Sequence, residues 1–143
     1  MTQPDARERA RLLLLYEAAG AGDAAGLAAA AERVCLRLRD ELSGLIGAGG
    51  VNALAGRALR LAQQRHPPLS GVQTGPQACF HGLAAVLEGI DAAEAEAAGA
   101  AVIETFLALM VSLVGEDLGL RPVRKLWPEV ASGDWGPTST RGK

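Results

Sequence analysis

Residues 97–120 are the most apolar stretch of this chain, and Glu104 is its only interior charge, before Glu116 and Asp117 near its end. A segment of this kind has two outlets: it crosses a bilayer, or it forms the centre of a soluble fold with more amphipathic elements wrapped around it. Residues 97–115 barely reach the roughly 20 residues that a spanning helix needs. A carboxylate near the middle costs a few kcal/mol in hydrocarbon, and alanine supplies little drive for insertion. The flanks carry Asp91, Glu94 and Glu96 on one side and Glu116 and Asp117 on the other, without tight basic anchoring. The buried central helix is therefore the preferred reading, and membrane association is kept only as a third functional alternative. Its start is marked by Asp91-Ala92-Ala93-Glu94, which has capping-box spacing with Asp in the capping place.

Composition points the same way. Apolar residues make up 49% of the chain and aromatics only 3%, so the core is built from Ala and Leu. These lead the helix scale, while the strand formers Val, Ile and Thr are scarce. A length of 143 residues suits one domain with a sizeable core. The formal net charge of −2 argues against nucleic-acid binding. No basic n-region followed by an apolar h-region and a cleavage site opens the chain, so the expected location is cytoplasmic.

The other segments follow helical periods. Residues 2–19 begin with Pro4 and Asp5, suited to a first turn, and pass through Leu13 and Leu14 to Gly20 and Gly22. Asp23 suits a cap for residues 23–46. There Leu27, Ala31, Val34, Leu38, Leu42 and Leu45 recur every three or four positions. Gly47-Ala48-Gly49-Gly50 is expected to stop this helix, and residues 51–65 to start another that ends at His66-Pro67-Pro68. A short helix is predicted over 78–88, the central one over 92–118, and a brief one over 122–127 closed by Pro128. The Gly, Ser, Thr and Pro of 132–143 predict a flexible tail outside a helical domain of 1–131. The expected fold is all-α, a bundle of about five helices.

Chemistry is harder to find. Cys79-Phe80-His81 sets a thiol and an imidazole two residues apart, on opposite sides of a helix, so they form no local nucleophile–base pair. With Cys35 and His66 they lack any zinc spacing, and both cysteines read as buried thiols. The 47–50 glycine run has neither a preceding strand nor a following Lys-Ser/Thr, so it is no phosphate loop. Glu88, Asp91, Glu94 and Glu96 complement a helix start without needing a cation. No catalytic motif, cofactor site or metal site is expected.

Two features remain. Glu104 on an apolar helix must face a solvent gap, find a partner or stay protonated, and Arg57 and Arg60 are its candidate partners. Arg57 and Arg60, together with Arg121, Arg124, Lys125 and Trp127, are also candidate contacts for a protein partner, since Arg and Trp anchor interfaces. The competing reading of Trp127 is a hydrophobic lid on the bundle.

Gly50-Val51-Asn52-Ala53-Leu54-Ala55-Gly56-Arg57-Ala58-Leu59-Arg60-Leu61-Ala62 and the segment 107–128, with Val114-Gly115-Glu116-Asp117-Leu118 and Leu126-Trp127-Pro128, resemble a group of small uncharacterised helical bacterial proteins. The resemblance implies a bacterial, self-contained helical domain and no particular activity. The leading functional expectation is a non-enzymatic interaction or regulatory module that binds a protein partner or itself through a helical face. The alternative is a small-molecule binder with Glu104 and an arginine as polar groups in an interhelical pocket.

Overall fold

The computed structural model describes residues 6–19, 23–72 and 82–132. Seven α-helical segments and no strand occur among them: α1 Ala6–Ala18, α2 Ala24–Arg65, α3 Leu83–Glu88, α4 Ala92–Val114, α5 Glu116–Gly119, α6 Arg121–Leu126 and α7 Pro128–Ser132. The all-α bundle expected from the sequence is what the chain forms, with α4 packed against α1 and α2. Asp23 and Asp91 cap their helices as expected. The Asp23 carboxylate accepts from the Gly26 N–H at 3.0 Å and the Asp91 carboxylate from the Glu94 N–H at 2.8 Å, satisfying donors that have no intrahelical partner.

Helix α2 departs from expectation. Only Gly47 leaves the helical region (φ 84°, ψ 157°), and Ala48, Gly49 and Gly50 are already helical. One glycine suffices to turn the chain, because it enters a backbone region that L side chains rarely adopt. The glycines after it form the first turn of the arm 48–65. The result is two arms, 24–46 and 48–65, with a single-residue bend where a four-residue stop was expected.

Helix α4 ends at Val114, four residues before its expected end, since Gly115 (φ 93°, ψ 160°) breaks it. The chain then folds back so closely that a Cβ added to Gly119 would sit 2.9 Å from the Val111 Cα. Trp127, held before a proline at ψ 64°, separates α6 from α7. The short helix expected over 78–88 appears as Leu83–Glu88, and its first residues, with Cys79 and His81, lie outside the described residues. So does the expected tail, apart from Ser132 in α7.

The core is what an alanine-rich chain produces. Ala28, Ala30, Ala31, Ala58, Ala62, Ala95 and Ala98 are buried beside Leu13, Leu14, Leu38, Ile103 and Phe106. A Cβ added to Gly99 on α4 would lie 3.3 Å from a Leu14 methyl and 3.4 Å from the Ala31 Cβ, so three helices meet there at close range. The Thr105 hydroxyl reaches the Ala58 carbonyl of α2 at 3.1 Å, besides two carbonyls of its own helix. Cys35 is buried in the core. Among the described residues α4 is the one helix long and apolar enough to cross a membrane, and 56% of its most apolar window is buried inside the molecule.

Candidate functional site

Glu104 projects from α4 toward the end of α2. Its partner is Arg65, with Nη2 3.2 Å from Oε1, and not Arg57 or Arg60. Helical spacing explains the correction. Ala58, Ala62 and Arg65, spaced four and three apart, share the face of α2 that packs on α4, whereas Arg57 and Arg60 are exposed on the other side. The Glu104 side chain keeps 20% of its surface accessible, so it is neither fully buried nor on the outer rim.

Around this pair lies a cleft of about 400 Å³, lined by Arg11, Arg65, His66, Ala93, Glu96, Ala97, Ala100, Ala101 and Glu104. A second ion pair stands in its wall, Arg11 Nε to Glu96 Oε2 at 2.7 Å. On α4, positions 93, 96, 97, 100, 101 and 104 follow the three-and-four spacing of one helix face. Ala100 and Ala101 are buried as its floor, while Ala93 and Ala97 are exposed. The cleft has this volume because these four positions carry only methyl groups.

Arg11, Glu96 and His66 were not singled out as partners of Glu104 in the sequence. Their signal is present: an alanine face on α4 is bracketed by two carboxylates eight positions apart. Which arginines and histidine come to it depends on the bend at Gly47 and the stop at His66, and those are tertiary outcomes.

The expected partner-contact residues are scattered. Arg57 and Arg60 are exposed and make no ion pair among the described residues. Arg124 is held by its neighbour Asp117, donating to the backbone carbonyl at 2.7 Å and the carboxylate at 3.3 Å. Lys125 pairs with Glu41 at 3.1 Å. Arg121 and Lys125 line a shallower groove of about 260 Å³ with Leu42, Leu45, Leu118 and Pro122, where Leu45 is 45% exposed. Trp127 is withdrawn as a partner contact, because its side chain is fully buried and acts as the lid.

Trp127 belongs to a junction that nothing in the sequence announced. Its Nε1 donates to Glu17 Oε2 at 2.8 Å, 110 residues away. Arg33 and Arg37 also donate to the Glu17 carboxylate, and Arg33 reaches the Glu17 backbone carbonyl at 2.6 Å. That carbonyl lies in the last turn of α1, where a cation is favoured and α1 has none of its own. The Arg37 guanidinium sits 5.2 Å from the centre of the Trp127 ring, within cation–π range. Burial pushes the Glu17 carboxyl up, but donation from Trp127, Arg33 and Arg37 outweighs it and holds the group below its ordinary value. Nearby, Tyr16 donates to Glu129 at 2.7 Å, and this bond to an anion raises its phenol above the usual range.

Among the described residues no three of His, Cys, Asp and Glu come together in a way that would hold a metal ion. The cleft offers charge, one imidazole and an apolar floor. That set suits recognition and provides no nucleophile–base pair. No protein-family model, curated protein or solved structure matches the chain.

Proposed function

We propose that this protein binds a small polar molecule in the cleft between α1, the end of α2 and α4. One observation carries the proposal: Glu104 and Arg65 face a concavity of about 400 Å³ instead of a packed interface. This volume is in the range of small-molecule sites, which combine an apolar lining with a few placed polar groups. NMR screening of the labelled protein against mixtures of cellular metabolites tests the reading. Saturable shifts confined to residues 93–104 and 65–66 are expected, and their absence across a broad collection removes it.

A second reading is favoured by Leu45. This residue is nearly half exposed beside Leu118 and Pro122, with Arg121 and Lys125 at the edge. On this reading the protein is an interaction module that binds a protein partner or a second copy of itself through the groove at the bend of α2. Light scattering over a concentration series separates the self-association form. Association that Leu45→Glu abolishes supports it, and a monomer at every concentration eliminates it.

A further inference from the structure

The charge arrangement of the cleft narrows its ligand to one chemical class, and the inference rests on the ligand-binding reading above. Arg11 pairs with Glu96 at 2.7 Å and, less closely, with Glu8 at 3.6 Å, while Arg65 pairs with Glu104. Glu96 and Glu104 lie eight residues apart on α4, about 12 Å along the helix axis. Between them are Ala97, Ala100 and Ala101, which offer methyl surface and no hydrogen-bonding side chain. The cleft is therefore charged at both ends and apolar in the middle, and its four charged lining residues sum to zero.

A ligand with a single charge fits this poorly. An anion taking Arg65 would turn the half-buried Glu104 carboxylate out of its pair, and a cation taking Glu104 would do the same to Arg65. Charges removed from water are costly when left uncompensated. A ligand carrying both signs meets each pair without leaving an orphan, since its carboxylate adds to one guanidinium and its ammonium to one carboxylate. The apolar floor asks for methylenes between those ends. We infer that the Arg11–Glu96 and Arg65–Glu104 cleft binds an aliphatic zwitterion with an ammonium at one end and a carboxylate at the other, an ω-amino acid. His66, at the Arg65 end, supplies a further polar contact to the terminal group lodged there.

The test titrates the labelled protein with 6-aminohexanoate, hexanoate and hexylamine and follows amide shifts of residues 65–66 and 93–104. The expected result is saturable binding of 6-aminohexanoate, at least tenfold tighter than either singly charged comparator. Glu104→Gln, which keeps the shape of the side chain, is expected to weaken it at least tenfold. Ala97→Leu, which fills an exposed alanine position of the lining without harming helix propensity, is expected to abolish it in a folded protein. Equal binding of all three compounds overturns the zwitterion assignment but leaves a ligand site in the cleft. Binding of 6-aminohexanoate that survives Ala97→Leu places the site elsewhere and overturns the inference. No shift with 6-aminohexanoate also overturns it, and the metabolite screen then decides separately whether the cleft binds anything.

Discussion

Glu17 and Glu104 are the same residue, each on a helix and each facing arginine, and the structure treats them in opposite ways. Glu17 is 9% exposed and takes donors from Trp127, Arg33 and Arg37, which close over it. Glu104 is 20% exposed, takes one arginine, and looks into a cleft. A carboxylate whose acceptor sites are filled by the protein holds elements together. One with acceptor capacity left over beside a void is placed to receive something. The residue type says nothing about which role it serves; the number of donors and the space in front of it do.

The sharpest way to break this contrast is Trp127→Ala. It removes the largest fully buried side chain among the described residues together with the indole donor to Glu17, and is expected to cost about 3–5 kcal/mol. Chemical denaturation would register this as a lower midpoint. Next comes Glu17→Gln, expected to cost about 1–3 kcal/mol, because an amide cannot accept from both arginines and the indole as the carboxylate does. The same substitution at Glu104 is expected to cost less than about 1 kcal/mol, since a part-exposed single ion pair contributes little. Equal costs at the two positions would dissolve the distinction between a structural and a receptive carboxylate.

The pH dependence sharpens it further. The Glu17 carboxyl titrates lower in the folded protein than in the unfolded chain. Its contribution is therefore complete above the unfolded-state value and fades as pH falls through the folded-state value. The stability gap between wild type and Glu17→Gln is thus expected at neutral pH and to close in acid. Urea denaturation of both proteins at neutral and acidic pH checks this, and a gap that widens on acidification would reverse the assignment.

Much of the architecture was legible because it rests on local rules. Asp23 and Asp91 announce helix starts, the leucine stripe of 24–46 announces a buried face, and Pro67 and Pro128 follow helix ends. The errors arose where local rules leave more than one outcome. Gly47 to Gly50 reads as a stop of any length up to four residues, and only packing of both arms selected a single-residue bend. Arg57, Arg60 and Arg65 all lie within reach of α4 in sequence terms. The face shared with Ala58 and Ala62 chose Arg65. The Glu17–Trp127 contact is beyond any local rule, because its partners are 110 residues apart and neither is unusual in its own segment. The cleft was half legible: Glu104 stood out, but a concavity is made by what is missing, and four alanines read first as ordinary core.

The same long-range contact bears on how the molecule is made. Glu17 leaves the ribosome early, and Arg33 and Arg37 follow within about two dozen residues, so these three can associate while α4 is still being synthesised. Trp127 arrives more than a hundred residues later and completes the set. A nascent chain halted before that point would hold Glu17 by its two arginines alone, leaving its junction uncovered. Synthesis of the α6–α7 segment is thus the step that covers the Glu17 junction, on a first helix that packs chiefly against α4 and α2.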